Sequence, residues 1–377
     1  MQIKTFKYRL YPTKAQARQM DQVLSVCRHW YNMCLEDRKV AWELEQRSVS
    51  KSDQEKTGIH YRKTFPKAKI VFSQTMQVVC DDVDKAFKSF FRRVKAKESP
   101  GHPRFKGYWH FDSFGFKQYG AGIKVDGKRR LKLYGIGRVR IRWHRPIEGL
   151  IKSCRIARHA GKWFACFSCE IPDPVPLDKT GAMVGIDVGL SALLTTSAGE
   201  KVDNPRCYRK SQRDLKLAQR AIHRKTKGGK NRRKALLRLQ QIHAHVSNQR
   251  KDFLNKLAHQ LTQDHDLIAV EDLRIKNMVR NHKLSKSILD AGWGYFKDRL
   301  TIKAANAGRV IVFVNPANTS KCCSTCAREF DDFNLSVRWV TCPRCALSLD
   351  RDHNAAINIL KRARSGWDAS VGVNVDA

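Results

Sequence analysis

The chain has 377 residues, with 73 Lys and Arg against 35 Asp and Glu, a formal net charge of +38 and an isoelectric point near 10.1. This length exceeds the usual size of a single hydrophobic core, so two or three domains are expected. The charge lies far outside the range of ordinary soluble enzymes and favours a polyanionic partner, nucleic acid rather than an anionic membrane.

The first half of the sequence alternates between strand and helix patterns. Residues 4–11 have a period of two and predict a strand. Apolar residues at helical spacing in 20–34 and 76–94 predict two amphipathic helices, and the polar stretch 47–69 between them predicts a loop or short irregular elements. Pro and Gly punctuate the chain from residue 99, and short alternating runs follow, which predicts β structure.

A hairpin is predicted at Ala160 and Gly161, because every second residue that follows is apolar; these are Trp163, Ala165, Phe167, Cys169 and Ile171. Together with the first strand, this segment predicts a small β barrel that carries a helical insertion. The sequence PDPVP after the last strand indicates a linker.

The second half predicts an α/β domain, because strand patterns alternate with helix patterns. Strands are expected at 182–186, 192–196, 267–270 and 310–314, the last one buried, and helices at 253–262, around Trp293, Phe296 and Leu300, and at 354–364.

Residues 205–251 contain sixteen Lys and Arg and one acid, Asp214. Two basic helices separated at Gly228 and Gly229 are the simplest interpretation. A solvated charged face is the alternative, but a helix with almost no acids cannot balance its charge by i,i+4 pairs. We therefore expect this segment to contact nucleic acid.

Two CxxC pairs, Cys323 with Cys326 and Cys342 with Cys345, are separated by fifteen residues. Each pair places two thiolates on one turn, and two such turns complete the tetrahedral sulfur shell of a structural Zn²⁺ site. Cys322 falls outside this spacing and is a weaker candidate ligand.

A third CxxC, formed by Cys166 and Cys169, predicts no metal site. In a strand, an offset of three places the two thiols on opposite faces, and no partner pair stands nearby in the sequence. We expect these residues to belong to the core.

Three acids occupy positions suited to metal-ion catalysis. Asp187 lies in the apolar run VGIDVGL, Glu271 ends the run LIAVE, and Asp352 opens a predicted helix. Acids on three separate elements can converge to hold two divalent ions for phosphodiester cleavage, and Mg²⁺ or Mn²⁺ suits oxygen ligands. Ordinary explanations exist for the acids of the last two motifs, since Asp350 or Asp352 could cap the helix and Glu271 or Asp272 could be a surface acid after a strand.

The motifs resemble those of TnpB, the OrfB family of insertion-sequence transposases, and more distantly those of type V CRISPR effector nucleases. The similarity rests on GIDVGL, AVEDL, the four-cysteine module with its preceding Thr319 and Ser320, and DRDHNAAINIL. RLYP followed by a helix with Tyr31 and Asn32 resembles the start of the family's proteins. The resemblance spans most of the chain, from about residue 4 to 360.

The resemblance implies that Asp187, Glu271 and Asp352 are the three RuvC acids, and the family pattern D-x-N-A-A favours Asp352 over Asp350. It implies a multi-domain α+β and α/β fold with an N-terminal β barrel, a helical insert and an RNase H-like (RuvC) domain interrupted by a zinc ribbon. The expected bounds are 1–12 and 99–172 for the barrel, 13–98 for the helical recognition insert, 173–177 for the linker, 178–320 and 347–365 for the RuvC-like domain, 321–346 for the ribbon and 366–377 for a C-terminal tail.

The resemblance further implies an RNA-guided DNA endonuclease encoded by a transposable element. Its partners would be a guide RNA transcribed from the element's end and a double-stranded DNA target that carries a short flanking motif, and its cofactors would be Mg²⁺ or Mn²⁺ and Zn²⁺. A cytoplasmic, prokaryotic and nucleoid-associated protein is expected, because the sequence has neither an apolar membrane span nor a signal peptide.

Two other functions remain open at this point. The chain could be a regulator of transposition that binds nucleic acid without cutting it, but three intact acids favour cutting. It could also be a strand-transfer transposase, because RNase H folds host that reaction too. A zinc ribbon between the second and third acids fits the TnpB family better.

Overall fold

The computed structural model describes residues 1–330 and 337–371. It divides the chain into two compact units, Met1–Asp173 and Pro174–Ala377. Part of the predicted zinc ribbon, 331–336, and the end of the predicted tail, 372–377, lie outside the described residues. No described helix is long and apolar enough to cross a membrane.

The N-terminal unit contains a nearly closed antiparallel sheet of seven strands in the order β2-β6-β7-β1-β5-β4-β3. The strands are β1 (Gln2–Tyr11), β2 (Ser113–Phe116), β3 (Ile123–Asp126), β4 (Arg130–Leu133), β5 (Gly137–Arg142), β6 (Leu150–His159) and β7 (Lys162–Ile171). Three helices follow β1, namely α1 (Lys14–Glu45), α2 (Lys51–Thr64) and α3 (Ser73–Lys95), with short 3-10 turns at Pro66–Ile70 and Tyr108–His110. The predicted barrel with a helical insertion is confirmed.

The period-two pattern of β1 places its apolar side chains in the core. Phe6, Tyr8 and Leu10 are fully buried, and β1 pairs with β7 on one side and β5 on the other. The predicted hairpin between β6 and β7 turns at Ala160 and Gly161, whose φ angles are +48° and +73°. Positive φ at both turn residues matches the twist of the flanking strands. The hairpin prediction is therefore confirmed.

The prediction of a loop at 47–69 is wrong, because α2 occupies most of this stretch. The helix begins with a capping box, in which the Ser50 hydroxyl accepts from the backbone N–H of Asp53 and the Asp53 carboxylate accepts from that of Ser50. Its buried residues, Gln54, Gly58 and Tyr61, have helical spacing, but only one has a large apolar side chain. A count of apolar residues misses such a helix, since polar contacts and a glycine form its buried face.

Gly58 of α2 lies against the indole of Trp30, where an added Cβ would stand 3.1 Å from Cζ2. The Gln54 amide donates to the carbonyl oxygen of Cys34 at 2.7 Å. Both contacts join α2 to α1 without a conventional apolar stripe.

The apolar stripe of α3 is buried only over its first half. Met76, Val79 and Val83 belong to the core, whereas Phe91 and Val94 are 61% and 48% exposed. Burial therefore follows the prediction at the start of the helix and departs from it at the end.

The second unit is built on a five-stranded sheet in the order β10-β9-β8-β11-β12. Its strands are β8 (Met183–Val188), β9 (Ala192–Thr196), β10 (Lys201–Asp203), β11 (Leu267–Glu271) and β12 (Val310–Val314). β8, β11 and β12 are parallel, while β9 and β10 extend the sheet antiparallel from β8. This arrangement is the one expected of an RNase H-like domain, and the predicted α/β fold is confirmed.

Six helices accompany this sheet in the described residues: α4 (Cys207–His223), α5 (Lys230–Asp264), α6 (Ile275–Met278), α7 (Ser285–Ala291), α8 (Trp293–Ala307) and α9 (Arg351–Val371). The two predicted basic helices are confirmed as α4 and α5. The prediction of a separate helix at 253–262 is wrong, because these residues form the last part of α5. No Gly or Pro occurs between Lys230 and Asp264 to end the helix earlier. The predicted strand at 310–314 exists, but it is an edge strand and only Val314 is buried.

A small hairpin, β13 (Trp339–Thr341) with β14 (Ser348–Asp350), connects the second cysteine pair to α9. Helix α9 extends beyond the predicted end of the closing helix and covers residues 366–371 of the predicted tail.

Candidate nuclease and metal site

Two of the predicted acids come together through the register of parallel strands. Ile186 of β8 pairs with Val270 of β11, so the next residues on each strand, Asp187 and Glu271, lie side by side at the same edge. The carboxyl ends of parallel strands form the usual ligand-binding edge of an α/β sheet. The backbone therefore fixes this pair of acids.

Helix α9 brings Asp352 to the same edge. It packs against β8 so closely that a Cβ on Gly185 would stand 2.2 Å from the carbonyl oxygen of Ala356. Only a glycine at position 185 permits this approach. Because Asp352 lies in the first turn of α9, tight packing of helix on strand carries its carboxylate toward Asp187.

The neighbouring acids affect the ionisation of Asp187. Burial, followed by the negative charges of Glu271 and Asp352, raises the pKa of Asp187 to about 8. Burial also raises the pKa of Glu271, although the Thr319 hydroxyl and the charge of Arg362 act against this shift. Burial disfavours the ionised forms of Asp187 and Glu271. With Asp352 they provide an oxygen donor set for divalent cations, whose charge would offset the repulsion at Asp187.

Arginines partly neutralise the third acid. Arg351 and Arg338 stand 3.4 and 3.6 Å from the two carboxylate oxygens of Asp352.

Asp350 has a different role from Asp352. Its Oδ1 accepts from the backbone N–H groups of Asp352 and His353 at 3.0 and 3.2 Å, and Lys201 donates to its Oδ2 at 2.7 Å. Burial would raise the pKa of Asp350, but these hydrogen bonds outweigh it and lower the pKa. The helix-cap interpretation of Asp350 is confirmed.

Three polar residues beside this site are not among the site residues predicted from the sequence. Thr319 donates a 2.5 Å hydrogen bond from Oγ1 to Oε1 of Glu271, and it is only 3% exposed. Asn354 and Asn358 of α9 bind the backbone of the loop that carries Thr319 and the first cysteine pair. The motifs that support the family resemblance contain all three residues, but their spacing carries no recognisable chemical signal.

The four predicted zinc ligands form one cluster. The sulfur atoms of Cys323, Cys326, Cys342 and Cys345 all lie within 4.8 Å of one another, with 3.6 Å between Cys323 and Cys345 and 3.5 Å between Cys326 and Cys342. A tetrahedral zinc with bonds of about 2.3 Å requires sulfurs about 3.8 Å apart. The geometry therefore fits a zinc ion.

The two turns that carry the cysteines repeat one hydrogen-bond pattern. The N–H of Ala327 donates to the carbonyl of Cys323, and the N–H of Ala346 donates to that of Cys342. Ala327 and Ala346 both have positive φ, at +59° and +57°. Each turn thus curls its backbone around a pair of thiols.

The thiols do not ionise equally. Burial opposes ionisation of Cys342, but the backbone N–H groups of Cys345 and Arg344 favour its thiolate and lower its pKa. At Cys345 the N–H of Leu347 favours the thiolate, yet burial and the neighbouring sulfurs raise the pKa. When four thiols lie together, the ionisation of one raises the pKa of its neighbours. A divalent cation bound between the four sulfurs would relieve the repulsion among the thiolates.

The remaining candidate cysteines lie outside the cluster. Cys322 contributes its carbonyl oxygen to Asn354 and Asn358 rather than its thiol to the other cysteines. Cys169 is fully buried in the barrel, and Cys166 points to the opposite face of β7. The prediction that both residues belong to the core is therefore confirmed for Cys169 and wrong for Cys166, which is half-buried.

Helices α4 and α5 present a strongly basic surface. Of the sixteen Lys and Arg in residues 205–251, fourteen are exposed, while Arg232 and Arg250 are half-buried. Arg250 binds the buried Asp290, which also accepts from the backbone N–H groups of Tyr208 and Arg209 at the start of α4. The segment contains one acid, Asp214, so the positive charge of the exposed Lys and Arg is almost uncompensated within it.

Three families match different parts of the chain. A family described as "Probable transposase" matches residues 166–282, one described as "Cas12f1-like, TNB domain" matches 293–359, and one described as "Helix-turn-helix domain" matches 1–47. In the structure, residues 1–47 contain strand β1 and a single long helix rather than two helices joined by a turn.

Relatives resemble the chain over nearly its whole length. A protein from Streptomyces pristinaespiralis named "Putative RNA-guided DNA endonuclease" is 36% identical over 95% of this chain and 88% of its own. The Escherichia coli protein "Putative RNA-guided DNA endonuclease InsQ" is 28% identical over 95% of this chain and 92% of its own.

A solved structure titled "Cryo-EM structure of CasPhi-2 (Cas12j) bound to crRNA" superposes with a TM-score of 0.50. The match covers 96% of this chain and 98% of the other at 9% sequence identity, so the similarity concerns the fold alone.

Proposed function

Since this chain belongs to the OrfB family of IS605 transposases and TnpB-like proteins, we propose that it is an RNA-guided DNA endonuclease encoded by a transposable element. It would pair a guide RNA from the element's end with double-stranded DNA and cut beside a short flanking motif. The observation that carries the proposal is the convergence of Asp187, Glu271 and Asp352 at one edge of the sheet.

The three acids are proposed as catalytic residues that hold Mg²⁺ or Mn²⁺. Two divalent ions bound there would supply an activated water and charge stabilisation for the leaving oxygen of a phosphodiester. The chain's own contribution is positional, because β8 and β11 fix two carboxylates in register and α9 delivers the third. Arg338 and Arg351 limit the net negative charge at Asp352, so a phosphate group approaches against less repulsion.

Cys323, Cys326, Cys342 and Cys345 are proposed to hold one structural zinc ion. Their sulfurs already stand at spacings close to those of a tetrahedral shell, and four protein ligands leave no position for water. This zinc would therefore stabilise the ribbon rather than take part in cleavage.

The exposed cations of α4 and α5 are proposed to bind the guide RNA and the target strand. Binding by many Lys and Arg releases counterions, so the complex should weaken steeply as salt rises. The names of the relatives, which state RNA guidance and DNA cleavage, support this assignment of partners.

A strand-transfer transposase is the second candidate, because the description of the family that matches residues 166–282 contains the word "transposase". The basic segment and the names of the near full-length relatives favour guided cleavage instead. Strand transfer would join a DNA end to a target, whereas guided cleavage leaves two free ends.

The deciding experiment purifies the chain from a host that carries its element and sequences the RNA that copurifies. We expect a discrete RNA that ends in a variable segment, and cleavage of a plasmid whose sequence matches this segment. Treatment with RNase before addition of the plasmid should abolish cutting. Equal cutting of matched and unmatched plasmids after RNase treatment would show that the enzyme is not RNA-guided.

A further inference from the structure

The loop between β12 and the first cysteine pair places a hydroxyl group on one of the three acids. Thr319 is 3% exposed, and its Oγ1 lies 2.5 Å from Oε1 of Glu271. Within the part of the chain that the structure describes, no other residue donates a hydrogen bond to the Glu271 carboxylate. Thr319 is therefore the hydrogen-bond donor that contacts this side chain among the described residues.

Helix α9 holds the loop at the residue that makes this contact. The Asn358 amide donates to the carbonyl oxygens of Thr319 and Cys322 at 2.8 and 2.7 Å. The Asn354 side chain is fully buried, donates to the Cys322 carbonyl at 2.8 Å and accepts from the N–H of Ser324 at the same distance. Two amides thus tie the loop to the helix that carries Asp352.

Two cations on the same face of α9 complete the attachment. Arg362 donates to the carbonyl oxygens of Asn315 and Ala317 at 2.9 and 2.6 Å, and Lys361 donates to that of Ser324. Positions 354, 358, 361 and 362 lie on one side of a helix. The loop is therefore attached along its length to α9, on both sides of Thr319.

We propose that Thr319 is a positioning residue for the metal site: its hydroxyl fixes Oε1 of Glu271 and leaves Oε2 as the oxygen available to a divalent cation. This inference rests on the proposed function, since it assigns Glu271 to that cation. A glutamate side chain has three rotatable bonds, and a hydrogen bond to one oxygen restricts them before the cation arrives.

The position of Thr319 between two elements gives this contact a second consequence. The loop leaves β12, which pairs with the strand of Glu271, and it leads into the first cysteine pair. The backbone of Thr319 is bound by the Asp352 helix while its side chain is bound to Glu271. One residue therefore sets the spacing between two of the acids.

A purely structural role is the competing explanation, because the Thr319 hydroxyl also lies 3.1 Å from the carbonyl oxygen of Pro316. A hydroxyl that only stabilised the loop would affect the order of the ribbon and the melting temperature. A hydroxyl that positions Glu271 would affect the affinity of the cation with the fold and the zinc content unchanged.

The test compares Thr319→Val, which keeps the shape and removes the hydroxyl, with Thr319→Ser, which keeps the hydroxyl. The matched control is Ser320→Ala, because the Ser320 side chain makes no hydrogen bond to an acid within the described residues. Glu271→Gln serves as the reference for loss of the ligand. All variants are purified as complete chains with their copurified RNA and bound zinc.

Two quantities are measured. The first is the Mn²⁺ concentration that gives half-maximal cleavage. The second is the affinity for Mn²⁺, followed by electron paramagnetic resonance, at the binding sites that disappear in Glu271→Gln. Zinc content and melting temperature are recorded in parallel. Substitutions behind a metal ligand weaken metal binding about 10- to 100-fold. We expect a shift of about this size for Thr319→Val, recovery in Thr319→Ser, and values equal to those of the unaltered chain for Ser320→Ala.

Wild-type Mn²⁺ affinity in Thr319→Val would overturn the inference, and so would equal losses in the Val and Ser variants or loss of zinc in the Val variant. Failure of the proposed function has a different signature. In that case the unaltered complex does not cut, and Glu271→Gln binds Mn²⁺ as the unaltered chain does.

Discussion

The carboxylate cluster and the cysteine cluster assemble ligands in opposite ways. Asp187 and Glu271 project from the largely buried strands β8 and β11, and Asp352 projects from helix α9, so strand register and helix packing hold the three carboxylates together despite their repulsion. The cysteines lie on two turns, and the second turn connects two strands of three residues each; the buried residues of this module include Cys323, Val340 and Cys342. A fold with a core can place repelling charges, whereas a module with little core depends on its ligand for order.

Removal of a carboxylate should have the largest effect, because the sheet should stay folded while the cleavage chemistry is lost. Asp187→Ala, Glu271→Ala and Asp352→Ala should each reduce cleavage by about a thousandfold or more, because charge stabilisation at the phosphate is lost. RNA and target binding should persist, since the basic helices are unchanged. Plasmid cleavage and a gel-shift assay on the same preparations measure the two effects.

Asp272→Ala is the matched control for Glu271→Ala. Asp272 is the next residue in the chain, but its carboxylate is exposed and pairs with Lys297 at 2.6 Å. Full activity is expected for this variant. If all three acid variants still cut, the nuclease site lies elsewhere.

Removal of a cysteine should have the next largest effect and should act through order rather than chemistry. Cys323→Ser and Cys342→Ser should lose the zinc, about one per chain in the unaltered protein. Cleavage should fall because the loop of Cys323 also carries Thr319, which contacts Glu271. Zinc content by mass spectrometry of the metal, alongside plasmid cleavage, checks both steps.

Cys322→Ser is the neighbouring control, because its thiol lies outside the four-sulfur cluster. It should keep both zinc and activity. Loss of zinc in this variant, or retention of zinc in Cys323→Ser, would contradict the ligand assignment.

The repulsion among the carboxylates predicts an effect on stability that is smaller and depends on pH. The pKa of Asp187 is raised to about 8, so the folded state binds more protons than the unfolded state between about pH 4 and pH 8. Stability without divalent ions should therefore fall as pH rises through this window. Asp187→Asn removes the ionisation and should raise the melting temperature at pH 8 by about 2 to 4 °C, for a gain of about 1 kcal/mol.

Thermal melting at pH 5 and pH 8, without added Mg²⁺ or Mn²⁺, measures this effect. The difference between Asp187→Asn and the unaltered chain should be clearly smaller at pH 5 than at pH 8, because pH 5 lies near the lower end of the window in which the folded state binds the extra proton. An equal difference at both pH values would point to a change in packing rather than to charge.

The smallest effect on cleavage is expected for Asp350→Ala, which removes a helix cap beside the acids rather than an acid of the site. Loss of such a cap costs about 0.5 to 2 kcal/mol, and activity should be retained. Asp350→Asn keeps an oxygen that can accept the same backbone N–H groups and should cost less. Thermal melting and plasmid cleavage separate the two effects. A dead Asp350→Ala together with an active Asp352→Ala would reverse the assignment of the third acid.

Local patterns predicted most elements because their reasons are local. The alternation in β1, the positive-φ turn at Ala160 and Gly161, and the two CxxC pairs each depend on a few neighbouring residues. Helix α2 was missed for a tertiary reason, since Gly58 becomes meaningful only when Trp30 packs against it. The boundary predicted inside α5 failed because composition changes along that helix while the backbone continues.

The ligand types, the order of the elements and the large positive charge follow from the sequence, because they are properties of residues and their neighbours. The packing of the chain establishes which acid caps α9, which hydroxyl contacts Glu271 and how the loop of Cys323 is attached to the helix of Asp352. Two of those contacts join residues that are 48 and 32 positions apart in the sequence. The third shows which of two aspartates in one motif is the helix cap. Spacing along a chain does not encode such choices, because they depend on how strands, loop and helix pack in three dimensions.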